Sequence, residues 1–185
     1  LRMLRAVRFA TTLGFSLEPS TLQAILEHAD DIRMVSAERI GLEMRRVLVA
    51  DAAVTGLRHL IACGLDRAVM PETGQMDLDR AEQLLSHAAA PDLALRLACL
   101  LTLVADPAES LAAIAHRWRL SNEETRRCAA ALKHWPRIVE TRSLAWSTIQ
   151  PLLIDRDAET IVSLAAAIAT VDQSEDDPAG VDDVA

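Results

Sequence analysis

The sequence has few aromatic residues and little glycine. Tyr is absent, Phe occurs twice and Trp three times among 185 residues, whereas the strands of β-sandwiches and β-barrels favour aromatic and β-branched side chains. Only six glycines and seven prolines interrupt a chain that is 51% hydrophobic, so we expect most of it to be globular. Alanine and leucine are abundant instead, which favours an all-α fold with no sheet.

Long apolar runs and paired cysteines are missing as well. No apolar run approaches the roughly 18–20 residues that cross a bilayer, and the first ten residues carry three arginines but no signal-peptide cleavage pattern. The three cysteines, Cys63, Cys99 and Cys128, are too scattered for a disulfide framework or a CxxC metal site. We therefore expect a cytoplasmic protein without membrane contact. Because the sequence does not begin with Met, we expect it to be part of a longer chain.

The net charge of −8 is distributed unevenly. Residues 1–67 hold nine arginines and eight acidic residues, whereas residues 68–185 hold ten basic and nineteen acidic residues. Such an acidic chain is not expected to bind nucleic acid through its overall field. Any RNA affinity therefore has to come from a local patch, and the densest basic segment is residues 1–10. Residues 172–185 contain six acidic residues and no basic one, which predicts a disordered acidic tail.

Apolar periodicity predicts three helices in the first fifty residues. The first covers residues 1–13, ends at Gly14, and is expected to bury Met3, Ala6, Val7, Ala10 and Leu13. The second runs from Pro19 to about residue 29, with Leu22, Ile25 and Leu26 inward. The third begins after the N-cap Ser36 and has an apolar stripe of Ile40, Met44, Val47 and Leu48. Arg39 and Glu43 are spaced to pair on its surface.

Further helices are predicted over most of the remaining chain. Their approximate ranges are 51–63, 77–88, 91–105, 107–118, 122–134, 148–154 and 157–171. The start signals are clear at Asp106-Pro107 and at Ser121, which forms a capping box with Glu124. Pro136 and Pro151 are expected at or near helix ends, because proline removes a hydrogen bond inside a helix.

The sequence contains none of the common catalytic motifs. There is no phosphate-binding GxxxxGK[ST], no dinucleotide-binding GxGxxG and no nucleophile-elbow GxSxG. No histidine occurs in HExxH or beside an aspartate, so no metal site is predicted. Trp118, Trp135 and Trp146 are compatible with core packing or with stacking on bases. Acidic pairs such as Asp155 and Asp157 are explained by helix capping.

The first fifty residues carry two ordered motifs. They read LRMLRAVRFATTLGF at the start and VSAERIGLEMRRVL over residues 35–48. This arrangement closely resembles the neck of class II tRNA nucleotidyltransferases, the family of CCA-adding enzymes and bacterial poly(A) polymerases. In that family an E-D-x-x-R motif runs directly into the first stretch, and S-x-E-R-x-x-x-E follows about twenty residues later. Arg2 matches the arginine of the first motif, and residues 36–43 match the second.

The resemblance implies a division of labour between a catalytic head and a template-like neck. In the family the head precedes this segment and holds two divalent metal ions, expected to be Mg²⁺, so no catalytic residue or metal ligand is expected in this chain. The neck reads the base of CTP or ATP. Arginine offers a rigid fork of donors, and the preceding carboxylates accept from the exocyclic amine. Arg2 would be the nucleotide-binding donor, and Arg5 would support the pocket or approach a phosphate.

The other motif residues are expected to brace the neck. This group comprises Arg8, Phe9, Glu38, Arg39 and Glu43. The implied organisation is a neck over residues 1–50, an RNA-binding helical body over 51–171 and the acidic tail over 172–185. Residues 97–104 read LACLLTLV, without the His-Asp pair that some relatives carry there, so a phosphohydrolase activity is not expected.

The predicted function is the RNA-binding part of a nucleotidyltransferase. Its partners would be a tRNA or other RNA 3′ end together with CTP and ATP, and the chain alone is expected to be inactive. The sequence is compatible with both CCA addition and poly(A) addition, and it does not indicate an oligomeric state. Two alternatives stay open from the residues alone. One is a non-enzymatic helical interaction module, and the other is a headless relative that only binds RNA.

Overall fold

A computed structural model describes residues 1–88, 91–140 and 146–176, and these residues form helices without any strand. The predicted all-α fold is confirmed. The α-helices are α1 (Arg2–Leu13), α2 (Pro19–Glu27), α3 (Ala37–Leu48), α4 (Ala53–Ala62), α5 (Asp66–Val69), α6 (Leu78–His87), α7 (Leu93–Leu101), α8 (Pro107–Trp118), α9 (Asn122–Val139), α10 (Trp146–Leu153) and α11 (Ala158–Asp176). Two 3₁₀ segments cover Ala29–Met34 and Pro71–Gln75.

The core is built around α7. All nine of its residues are buried, because α9 and α11 pack on it together with α3, α6 and α8. Its run LALRLACLL is apolar on every side except at one arginine, which is the pattern of a helix enclosed by others. The three thiols Cys63, Cys99 and Cys128 are buried in this core as small apolar residues.

The first helices form a layer beside this core. α1 packs against α3 and α4, and the close approach is possible because Gly56 of α4 has no side chain. A Cβ atom at Gly56 would lie 2.6 Å from Val47 Cγ1 and 2.9 Å from Thr11 Oγ1. The contacts follow the same order along both helices, since Arg8 lies beside Glu43 and, further along each helix, Thr11 lies near Val47. α1 and α3 are therefore parallel neighbours.

Several predicted features of the helices are confirmed. Gly14 adopts the left-handed conformation that ends α1, with a φ of 67°. Asp106 accepts a hydrogen bond from the Glu109 amide at the start of α8. Ser121 and Glu124 form the predicted capping box of α9. The apolar stripe predicted for α3 is buried.

The buried face of α1 differs from the prediction. Leu4 and Thr11 are buried with Val7 and Ala10, whereas Leu13 is 57% exposed. The buried face differs from the predicted one because α3 and α4 cover the side of α1 that carries Leu4 and Val7. Met3 and Ala6 are only partly buried, since they line a groove towards α2. Leu26 of α2 is likewise exposed rather than inward.

Several helix boundaries also differ from the prediction, including the end of α7 at Leu101 rather than near residue 105. α9 continues to Val139 beyond the predicted end at 134, so Pro136 lies in its last turn, and Pro151 lies in the last turn of α10, where a proline removes only its own backbone N–H from the helix. α11 continues to Asp176 beyond the predicted end at 171. Residues 177–185 of the predicted acidic tail lie outside the described residues. The short helix α5 and the two 3₁₀ segments were not predicted.

Candidate nucleic-acid interface

Parallel packing of α1 and α3 brings both sequence motifs together at Glu43. This carboxylate is 1% exposed and accepts hydrogen bonds from three arginines. Arg8 Nε lies 2.6 Å from Glu43 Oε2, while Arg5 Nε and Arg46 Nη1 lie 3.3 Å and 3.4 Å from Oε1. A buried carboxylate is stable only when it is well paired. We call these four residues the Glu43 cluster.

The predicted pair of Arg39 with Glu43 is wrong. Glu43 turns instead towards α1, because Arg5 and Arg8 approach it from the neighbouring helix. Arg39 lies close to Leu1 at the start of α1. Arg39 has no hydrogen-bond or ion-pair partner within the described ranges.

Arg2 lies on the exposed face of α1. In the part of the chain that the structure describes, its guanidinium has no hydrogen-bond or ion-pair partner. It lines a groove of about 540 Å³ between α1 and α2. The groove is formed by Arg2, Met3, Ala6, Ser20, Thr21, Ala24, Ile25 and His28. Arg2 therefore has all its donors available beside a partly apolar groove.

Phe9 supports the arginine face of α1. The Arg8 guanidinium carbon lies 4.0 Å from the centre of the Phe9 ring, a distance at which a cation is attracted to the ring. Arg8 is only 16% exposed, so its charge is held between the ring and Glu43. The Phe9 side chain is 48% exposed and leaves one ring face open to solvent or to a partner.

Glu38 lies at the opposite end of α3 from the C-terminal arginines. Hydrogen bonds from its own backbone amide and from the Ser36 hydroxyl lower the pKa of Glu38, with a smaller contribution from Arg119. Ser36 is the N-cap residue as predicted, but its side chain accepts no backbone hydrogen bond. Glu38 instead turns back to cap the helix start, and it lies 3.7 Å from Arg119 Nε.

The position of α3 is fixed by α8. A Cβ atom at Gly41 would lie 2.0 Å from the backbone oxygen of Trp118, so the two helices meet where only glycine fits. The Trp118 indole is buried and donates a 2.8 Å hydrogen bond to the Val69 carbonyl oxygen. Trp118 is thus a packing residue, whereas Trp146 is 66% exposed.

Neither a cluster of metal ligands nor a membrane-spanning helix occurs among the described residues. No group of three or more His, Cys, Asp or Glu side chains in residues 1–88, 91–140 and 146–176 is arranged to hold a metal ion. Over the same ranges, no helix combines the length and the apolarity that a membrane span requires.

Two contacts at the end of α3 were missed by the sequence analysis. Arg45 pairs with Glu124 of the α9 capping box, and buried Arg96 donates to the carbonyl oxygens of Leu48 and Ala50. The adjacent arginines at 45 and 46 were a visible signal for the first contact. A single arginine in the apolar run of α7 was the signal for the second.

One segment of the chain matches a known protein family. Residues 14–76 match the family model described as the probable RNA and SrmB-binding site of polymerase A. This match covers α2 to the second 3₁₀ segment and includes the whole of α3. It lies immediately after the arginine-rich face of α1.

The relatives are CCA-adding enzymes. The enzyme of Levilactobacillus brevis is 38% identical over 95 residues, which are 50% of this chain and 24% of that enzyme. The enzyme of Latilactobacillus sakei is 30% identical over 151 residues, 81% of this chain and 38% of that enzyme. The chain thus spans well under half the length of these relatives.

A solved structure shares the fold. "The complex structure of CCA-adding enzyme with CTP" covers 93% of this chain and 45% of its own, with a TM-score of 0.64 and 16% sequence identity. The chain resembles CCA-adding enzymes in sequence over most of its length, and its all-α fold is that of the matching part of the solved CCA-adding enzyme. The alternative of a non-enzymatic helical interaction module is not favoured.

Proposed function

We propose that this chain is the neck and body of an RNA nucleotidyltransferase that acts in the cytoplasm. The whole protein would add CMP and AMP to tRNA 3′ ends or AMP to poly(A) tails, and the neck would help to select CTP and ATP. The observation that supports this most directly is Arg2, an exposed and unpaired arginine beside the Glu43 cluster. The curated relatives named above are CCA-adding enzymes.

The proposed task of Arg2 is to read the base of the incoming nucleotide. A guanidinium carries five N–H donors in a rigid plane and matches the acceptor edge of cytosine or adenine. With Arg2 as its arginine, the family motif E-D-x-x-R places a glutamate and an aspartate before Leu1, separated from it by one residue, where they would accept from the exocyclic amine. Arg39 lies near Leu1 without a partner and would pair with these carboxylates.

The Glu43 cluster would hold α1 in the orientation that presents Arg2. Glu43 and the largely covered Arg8 form its inner part, the Phe9 ring lies over Arg8, and Glu38 caps the start of α3. A helix fixed along one side loses little entropy when a nucleotide binds, which favours selection by preformed geometry. These residues are therefore proposed as positioning residues, with Arg2 and Arg5 as the nucleotide-binding residues.

The chain's own residues would supply binding and orientation, and bound Mg²⁺ would activate the RNA 3′-hydroxyl and stabilise the pyrophosphate. The ligands for Mg²⁺ are proposed to lie in the catalytic head of the whole protein. The described residues do not fit a metal ion, since no suitable cluster of ligands occurs among them. The proposed body, residues 51–171, would contact the RNA.

The test compares the protein encoded by the complete reading frame with the chain of residues 1–185. Both are supplied with Mg²⁺, labelled CTP or ATP and a tRNA transcript that ends before its CCA. We expect the complete protein to extend the transcript and the 185-residue chain to extend nothing. Extension by the 185-residue chain, or failure of the complete protein on both tRNA and oligo(A) primers, would contradict the proposal.

The role of Arg2 is tested by Arg2→Gln in the complete protein. We expect kcat/KM for CTP and ATP to fall by about 100-fold, because a charged bidentate contact to the base is lost, and the preference over UTP to shrink. Arg156→Gln is the matched control, since Arg156 is exposed and unpaired within the described residues. Unchanged preference over UTP in Arg2→Gln would remove Arg2 from base selection.

A further inference from the structure

The Glu43 cluster holds more positive charge than its single carboxylate neutralises. Three arginines contact Glu43, and two of them, Arg5 and Arg46, share the same oxygen atom, Oε1. Their guanidinium groups are therefore close neighbours of like charge. Arg39 and Arg2 add two further unpaired charges on the same side of α1 and α3. This is a local cationic site in a chain with a net charge of −8.

Most hydrogen-bond donors of Arg5 and Arg46 are unused. Each guanidinium has five N–H donors, and each of these two arginines donates one hydrogen bond, to Glu43. Their side chains are 54% and 48% exposed, so the remaining donors face solvent. Arg8 differs because it is 16% exposed and covered by the Phe9 ring. The exposed half of the cluster thus has both the charge and the donors to bind an anion.

We propose that Arg5 and Arg46 together bind a phosphate group of the substrate, either in the RNA backbone or in the triphosphate of the nucleotide. A phosphate accepts several hydrogen bonds at once and suits the planar fork of arginine. Its negative charge also offsets the repulsion between two guanidinium groups that share one carboxylate oxygen. The buried Glu43 holds both side chains in place before the phosphate arrives, which lowers the entropy cost of binding.

This inference rests on the proposed function, because that function supplies the RNA and the nucleotide. It goes further by assigning a role to Arg46, which lies outside the matched motif residues 36–43. It also separates two tasks on adjacent turns of the same surface. Arg2 reads the base, whereas Arg5 and Arg46 hold a phosphate that carries no base identity.

The RNA arm of the test measures binding by the 185-residue chain without catalysis. The probe is a fluorescein-labelled tRNA transcript that ends before its CCA, followed by fluorescence anisotropy at several salt concentrations. We expect Arg46→Gln to weaken binding about fivefold and to make the slope of log affinity against log salt less negative by about 0.7 to 0.9. Arg46→Lys should keep the salt slope while losing part of the affinity.

The nucleotide arm uses equilibrium dialysis with radiolabelled ATP on the same variants. A fall in ATP binding with unchanged RNA binding would assign the phosphate to the triphosphate, and the reverse would assign it to the RNA backbone. For ATP binding, Arg156→Gln is again the control with the same change of charge, whereas RNA binding is compared with Arg46→Lys, because Arg156 lies in the proposed RNA-contacting body. If Arg46→Gln binds both probes as the unsubstituted chain does, the inference is overturned.

Two measurements distinguish a loss of phosphate binding in Arg46→Gln from unfolding of the variant and from failure of the proposed function. Urea unfolding should show that Arg46→Gln remains folded, because Glu43 keeps its hydrogen bonds from Arg8 and Arg5. In the complete protein, Arg46→Gln should retain the preference for CTP and ATP over UTP that Arg2→Gln loses. An inactive complete protein would refute the proposed function, while the binding arms would still decide the role of Arg46.

Discussion

Gly41 shows how strongly a single residue depends on its surroundings. Considered alone, a glycine in the middle of α3 weakens the helix by about 1 kcal/mol relative to alanine. In the folded chain it is the point where α3 meets the backbone of Trp118. Local propensity and tertiary packing therefore predict opposite effects for the same substitution.

We expect Gly41→Ala to lower the free energy of unfolding by about 3 kcal/mol or more, because backbone atoms cannot yield as a flexible side chain can. Urea unfolding monitored by far-UV circular dichroism measures this change. Gly74→Ala is the control, since a Cβ atom there meets nothing within 4 Å. A stabilised Gly41→Ala variant would mean that α3 and α8 are not in close contact.

The residues of the candidate site were largely visible in the sequence, but their partners were not. The motif pattern identified Arg2, Arg5, Arg8 and Glu43. Helical spacing then favoured a pair between Arg39 and Glu43, since spacing describes only one helix. The actual partners of Glu43 come mainly from α1, and nothing in the local sequence specifies which helix lies beside α3.

At the scale of elements, α3 is fixed in its middle and at its C-terminal end. Gly41 contacts Trp118 of α8, Arg45 pairs with Glu124 of α9, and Arg96 of α7 binds the last carbonyl groups. A cation at a helix C-terminus is favoured by the helix dipole as well as by hydrogen bonds. The helix that carries Glu43 is therefore positioned by the core and not only by α1.

Arg96→Met should lower the free energy of unfolding by about 2 kcal/mol, because the carbonyl groups of Leu48 and Ala50 lose a charged donor. Arg96 is 6% exposed, and Met replaces much of its apolar volume, so the loss reports mainly on the hydrogen bonds. Guanidinium unfolding provides the measurement, and Arg156→Met provides the exposed control. Equal stability of Arg96→Met and the unsubstituted chain would show that Arg96 does not hold α3.

At the scale of the whole molecule, the composition makes the alkaline pH response unusually simple. The chain has no Tyr and one Lys, so cysteines dominate titration between about pH 8 and 10. Burial raises the pKa of Cys99 from 9.0 to about 12. Burial also raises the pKa of the Cys128 thiol, with a smaller contribution from Cys99, and burial raises that of Cys63.

We expect the free energy of unfolding to fall as the pH rises above about 9, by roughly 1.4 kcal/mol per pH unit for each buried thiol. The sign follows because the unfolded chain releases thiol protons near pH 9, whereas burial raises the pKa of Cys99 to about 12 and raises those of Cys63 and Cys128 as well. The contribution of the buried thiols to the free energy of unfolding is thus fully present below pH 9 and decreases as the pH rises above 9.

Urea unfolding at pH 8, 9, 9.5 and 10 tests this prediction. The variant Cys99→Ala should show a smaller slope with pH, even though the cavity it creates lowers stability at every pH. The slope of the free energy of unfolding against pH reports on the thiol proton, and the loss of free energy that is common to every pH reports on the cavity. Identical slopes for Cys99→Ala and the unsubstituted chain would mean that Cys99 does not keep its proton in the folded state.

The sequence by itself determined the all-α class, the main helices and the family motif. These features depend on local signals, namely apolar periodicity, capping residues such as Ser121 and the order of residues along one chain. Only the tertiary structure decided which face of α1 is buried, why Gly41 is required and how Arg46 joins Arg5 at one oxygen of Glu43. Those contacts join residues dozens of positions apart, and the packing of several helices sets them through burial, which no local pattern encodes.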